Sequence, residues 1–150
     1  MAARDYTTRR LAIVDGLVEK LKEIDGTNQY LTNLAQNVSP RLKFWDEVEE
    51  FPAVHLNAGS ETREYQGGGY KDRFLNVTLR CYVQEEDAVV ALEKLMEDVE
   101  TVLEENSRLL YKNRTGQNQY THQITIISID TDEGVLEPFG VGEMQIEVRY

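Results

Sequence analysis

The sequence predicts an α+β fold, a mixed and mostly antiparallel sheet of four to five strands with two helices packed on one face. Three observations carry that expectation. Apolar residues recur at spacings of three and four in two segments, 6–24 and 85–105. Between them, Leu75, Val77, Leu79, Cys81 and Val83 alternate with Phe74, Asn76, Thr78, Arg80 and Tyr82, as in a strand with one apolar face. The elements follow the order helix, three strands with a hairpin, helix, two strands, with no internal repeat or flexible linker.

The first helix is expected over residues 6–24, where Leu11, Val14, Leu17, Val18, Leu21 and Ile24 form one stripe. Asp5 or Thr7 caps its start, and Asp25-Gly26 stops it. Gly16 costs stability in mid-helix, which points to close packing against a sheet or another subunit. A strand is expected over 30–38, ended by Ser39-Pro40. One helical turn is expected at 46–49, and Trp45 reads as a core residue rather than an interface anchor.

Phe51-Pro52 opens the next strand, since proline is tolerated at a strand's first position. That strand is expected over Ala53 to Leu56; the chain runs on through Gly59 to Tyr65, turns at Gln66-Gly67-Gly68-Gly69 and returns from Tyr70. Glycine supplies the positive φ angles of a hairpin tip without steric cost. The second helix opens with Glu85, Glu86 and Asp87, which complement the positive end of the helix dipole. Val89, Leu92, Leu95, Met96, Val99, Val102 and Leu103 form its stripe, with Glu93, Glu97, Glu100 and Glu104 outside. Residues 109–122 read as a loop, 124–129 as a strand, 130–134 as a turn and 138–142 as irregular. A last strand puts Met144, Ile146, Val148 and Tyr150 on one face.

The chain has 150 residues, enough for one core without staples. It carries 27 acidic and 16 basic side chains, a formal net charge of -11. A field of that sign repels phosphate, which disfavours nucleic-acid recognition through a general basic surface. The one cysteine, Cys81, excludes an intramolecular disulfide and reads as a small buried hydrophobe. No uncharged apolar run approaches the roughly 18 residues of a membrane span, and Met1-Ala2-Ala3-Arg4-Asp5 lacks a signal-peptide core, so synthesis in the cytoplasm is expected.

No motif for chemistry emerges. The histidines, His55 and His122, stand in no metal spacing, and His55 reads as a satisfied structural residue within a strand. The run Asp130-Thr131-Asp132-Glu133-Gly134 lacks the ligand spacing of a calcium loop and suits a hairpin turn better. Gly67-Gly68-Gly69 has no following lysine and no helix start to make a phosphate cradle. No serine sits in a nucleophile elbow. Catalytic, metal and cofactor residues are therefore all expected to be none. The feature that resists a purely structural reading is the hairpin. Its arms carry Arg63, Tyr65, Tyr70, Lys71 and Arg73 around the Gly67, Gly68, Gly69 tip, a composition typical of interfaces as well as of solvated hairpins. Arg9 and Arg10 on the first helix make a further candidate patch, and the acidic face of the second helix is a natural partner for a basic one.

Phe51-Pro52-Ala53-Val54, Gly59 and Glu61, Arg73 leading Leu75-Asn76-Val77-Thr78-Leu79, Tyr82-Val83, and the acidic helix around Leu92, Leu95, Asp98, Val99 and Glu100 resemble the tail terminator proteins of long-tailed bacteriophages. The ending, with Asp130 to Gly134, Gly140, Gly142 and a strand to Tyr150, is similar too. The resemblance rests on order and diffuse positions and covers most of the chain, so residues 1–150 are expected to form a single terminator-like domain. It implies a structural protein rather than an enzyme. Copies would form a homohexameric ring capping the head-proximal end of the tail tube, ending polymerisation and docking the neck. The implied partners are the tail tube protein, the neck or head-completion protein and, in contractile tails, the sheath. DNA would pass through the ring without sequence-specific binding, and no membrane is involved. The alternatives are a neck or tail-completion protein, or a small acidic cytoplasmic enzyme or binding domain.

Overall fold

Two long antiparallel strands form the centre of the computed structural model, which describes residues 8–27 and 29–150. These are β2, Ala53–Tyr65, and β3, Lys71–Gln84, joined by a 3-10 turn at Gly67–Gly69. Gly68 and Gly69 take φ angles of 76° and 84°, the left-handed conformations expected of a glycine tip. The chain enters β2 through Phe51 and a cis Pro52. A two-residue strand β1, Val38–Ser39, pairs in parallel with Val54 and His55 of β2. After β3 come helix α2, Ala88–Glu105, a small hairpin of β4, Leu110–Lys112, and β5, Asn118–Tyr120, then β6, Gln123–Thr131, and β7, Phe139–Arg149. The sheet order is β1-β2-β3-β7-β6, antiparallel except at β1.

One face of the sheet carries both helices. Leu75, Val77, Leu79, Cys81 and Val83 of β3 join Met144, Ile146, Val148 and Tyr150 in one cluster. Against them pack Ile13, Val14, Leu17 and Leu21 of helix α1, Arg9–Leu21, and Leu92, Leu95, Met96, Val99 and Leu103 of α2. Each fully buried leucine contributes about 1.5–3 kcal/mol relative to exposure. Gly140 and Gly142 let α2 approach β7: a Cβ on Gly142 would lie 2.7 Å from the Met96 sulfur. Gly16 does the same for α1, where a Cβ would meet Leu109 at 3.2 Å and the Leu110 carbonyl at 3.3 Å. Its expected close packing is thus against β4. On the opposite face a smaller cluster joins Val48, Ala53 and Tyr82, flanked by Phe51 and Val141.

Several expectations are corrected. The strand over 30–38 is reduced to Val38–Ser39 because its amides go elsewhere. The N–H groups of Leu31 and Thr32 donate to Asp98 of α2, and Ala35 and Gln36 turn through positive φ. Thr8 caps α1 by accepting from the Leu11 amide, while the caps proposed at Asp5 and Thr7 and the helix start at 6 lie outside the described residues. The helix stops at Leu21, yet Ile24 beyond it is fully buried. Leu11 is exposed because it lies roughly a quarter-turn off the centre of the buried stripe. Val89 is exposed as well, facing Gly134 rather than the core.

Glu85, Glu86 and Asp87 precede α2, and Asp87 caps it through the Val90 amide rather than sitting in its first turn. The expected turn at 46–49 is a 3-10 turn at Trp45–Glu47, and the core role expected of Trp45 concerns a side chain outside the described set. The expected loop 109–122 folds into β4 and β5, ordered by the buried Thr121 hydroxyl, which accepts from the Leu109 amide and donates to the Ser107 carbonyl. Residues 130–131 continue β6, and the expected irregular stretch 138–142 is mostly strand, since β7 begins at Phe139.

Candidate functional site

The hairpin of β2 and β3 runs on beyond its cover. Tyr65 and Tyr70 are 73% and 76% exposed, a Cβ on Gly67 or Gly69 would meet nothing within 4 Å, and one on Gly68 would meet only the Tyr70 ring at 3.7 Å. Lys71 sits over the Tyr65 ring, its ammonium 5.8 Å from the centroid. Below the tip the register sets Arg63 opposite Arg73 and Glu64 opposite Asp72. One member of each pair is countered within the chain, Arg63 by Glu61 at 2.8 Å and Asp72 by Arg149 at 3.2 Å, which leaves Arg73 and Glu64 without an ion pair among the described residues. On its outer side β2 is paired by β1 only at Val54 and His55, leaving the edge from Leu56 onward open among the described residues.

The structure brings the two arginine patches together. Arg9 and Arg10 of α1, Arg63 and Arg73 of the hairpin, Arg114 of the β4–β5 turn and Tyr150 line a recess of about 280 Å³. Tyr65, Gly67, Gly68, Gly69, Tyr70 and Lys71 are not among its lining residues. Arg114 and Tyr150 do not stand out in the sequence as site residues. Arg114 falls in a stretch that reads as a loop, and Tyr150 reads only as the end of an apolar stripe.

One carboxylate, outside the lining itself, holds two of the lining residues. Glu61 accepts from Arg63 Nε at 2.8 Å and from the Tyr150 hydroxyl, while Arg10 donates to the Gly59 carbonyl. Burial alone would raise the Glu61 pKa, but these two hydrogen bonds and the charges of Arg63 and Arg10 outweigh it and lower the pKa. Burial, with Glu61 beside it, pushes the Tyr150 phenol strongly up, so it stays a hydrogen-bond donor. The Arg73 guanidinium lies 5.5 Å from the Tyr150 ring centroid, and its Nε is buried without a hydrogen-bond partner. Arg9, Arg73 and Arg114 form no ion pair with any described carboxylate.

The residues weighed for chemistry take structural places. His55 is buried, donates from Nδ1 to the Arg41 carbonyl at 3.0 Å and meets the Tyr82 ring edge-on. Burial lowers its pKa, which favours the neutral ring. Burial pushes the Cys81 thiol up to about 12, so it carries no thiolate near neutrality. Another recess, about 530 Å³, presents Glu85 and Asp87 without a histidine, cysteine or serine in its lining. Among the described residues no cluster of His, Cys, Asp and Glu could hold a metal, and no helix is long and apolar enough to cross a membrane.

Comparison with known proteins points in one direction. The model of a family described as Bacteriophage Tail Tube Terminator Protein matches residues 7–150. The tail tube terminator protein p142 of Escherichia phage T5 is 34% identical over 149 residues, covering 94% of this chain and 92% of that protein. A chain in the virion of a native gene transfer agent particle superposes with a TM-score of 0.59 over 95% of this chain and 98% of its own. At 8% identity that likeness speaks for the fold alone.

Proposed function

The chain belongs to the bacteriophage tail tube terminator family, and on that premise we propose that it forms a hexameric ring on the head-proximal end of the tail tube. The ring ends tube polymerisation and offers a docking surface to the neck. The family match along nearly the whole chain carries this reading. Its partners are further copies of itself, the tube protein, the neck or head-completion protein and, in a contractile tail, the sheath. DNA passes through the ring without being read, and no catalysis or cofactor takes part. The protein acts in the virion at the tail–neck junction, after synthesis in the host cytoplasm.

Two physical features support an assembly role. The exposed tyrosines of the hairpin are large amphipathic groups left in solvent, suited to burial against a partner. Arg73 and Glu64 of the hairpin have no ion pair among the described residues and are available to a neighbour's countercharges. The contacts are assigned to Arg63, Tyr65, Gly67, Gly68, Gly69, Tyr70, Lys71 and Arg73, with Arg9 and Arg10 of α1. The test is polymerisation of the cognate tube protein with and without the chain, with tube lengths measured by electron microscopy. Added chain is expected to shorten the tubes in proportion to its concentration. An unchanged length distribution at excess chain refutes the proposal.

A further inference from the structure

We propose that the arginine recess is the receiving half of the copy-to-copy contact, and that it takes the exposed carboxylates of α2 from the next copy. The inference rests on the ring reading and names the surfaces that close the ring. Five of the chain's 16 basic residues line one recess on a molecule of net charge -11. Glu61 already has one oxygen engaged by Arg63 and the other by Tyr150, so it does not neutralise the rest. Arg73 lies against the Tyr150 ring with its buried Nε unbonded, and it forms no ion pair with a described carboxylate, so its charge is not countered within the chain.

The chemistry that fits is a carboxylate. Guanidinium groups bind carboxylates and phosphates in bidentate fashion. At about 280 Å³ the recess lies at the lower limit of small-molecule sites, roughly 300–1,000 Å³, and suits side chains better. It is a compact spot on an acidic molecule rather than a basic stripe that could follow a phosphate backbone. The matching surface is on α2, where Glu93 and Glu97 stand one turn apart and exposed. Neither forms an ion pair with a described residue.

The placement suits a ring. The recess lies beside the start of α1 and the β2–β3 hairpin, whereas α2 covers β3, β7 and β6 toward the other edge of the sheet. One patch of a copy therefore meets a different patch of the next, the heterologous contact that a cyclic ring requires.

The test is a charge exchange at exposed positions, read by native mass spectrometry and sedimentation of the full chain alone and on tubes. Arg9→Glu with Arg114→Glu, and separately Glu93→Lys with Glu97→Lys, should each weaken self-association by at least about tenfold. Combining all four should restore most of that loss, with circular dichroism and melting temperature showing each variant folded. Undiminished rings in either double variant, or no recovery in the combined one, overturn the inference and leave the ring reading standing. Loss of duplex-DNA binding with rings intact identifies the ligand as phosphate and also overturns it. Wild-type copies that never associate, alone or on tubes, overturn both.

Discussion

Replacing Asp98 with alanine removes the acceptor that holds the segment before β1 against α2. Asp98 is 2% exposed, a depth at which a carboxylate must be well bonded. Its oxygens accept from the Leu31 amide at 3.0 Å, the Thr32 amide at 2.7 Å and the Thr32 hydroxyl at 2.6 Å. Hydrogen bonds to a charged group each contribute about 1.5–3 kcal/mol net, and three sharing one acceptor do not add fully. The expected loss is about 4 kcal/mol, or about 8–16 °C in Tm for a chain of this size. An asparagine side chain keeps one acceptor oxygen, so Asp98→Asn should lose about half as much. Urea unfolding followed by circular dichroism measures the change, and amide exchange at Leu31 and Thr32 locates it. A loss below about 1 kcal/mol at unchanged m-value would show that the carboxylate does not fix this segment.

Other perturbations follow from the same geometry. Gly140→Ala places a Cβ 2.7 Å from Val83 and 3.2 Å from the Ala88 carbonyl, and should cost about 1–3 kcal/mol by the same unfolding assay; a neutral effect refutes the close approach of α2. The Glu61 pKa is lowered from its ordinary 4.5, so the carboxylate stabilises the fold above that pH and loses this effect as acid protonates it. Glu61→Gln should therefore be less stable at neutral pH, with the gap to the parent closing below pH 4.5 in a series of thermal melts. A gap that does not change with pH contradicts this account. Deleting Gly67 to Gly69 should leave the melting temperature within about 3 °C, because the exposed tip meets only the equally exposed Tyr70 ring, yet abolish arrest of tube growth. A shortened protein that still arrests tubes removes the hairpin from the contact.

Where side chains face one apolar layer, the sequence states the fold directly. The alternation from Leu75 to Val83 and from Met144 to Tyr150, and the stripes of both helices, depend only on local period and were readable. Segments whose amides pair at long range were not. Tyr30, Leu31 and Thr32 have β-forming side chains, but the partner of the Leu31 and Thr32 amides is Asp98, more than 60 residues away. The stretch from Leu109 to Tyr120 is polar, and its order comes from Thr121, Ser107 and the space at Gly16. The candidate surface divides the same way. The hairpin residues and Arg9 with Arg10 stood out by composition, whereas their convergence with Arg114 and Tyr150 requires β7 to lie beside β3 and β4 to pack on α1. No local pattern encodes that adjacency.

Electron cryo-microscopy of cognate tail tubes assembled with the chain addresses the ring most directly. A single hexameric ring of this chain on one end of each tube, the end that would face the head, is the expected result. Chains scattered along the tube wall, bound at both ends alike, or absent from tubes of undiminished length would contradict it.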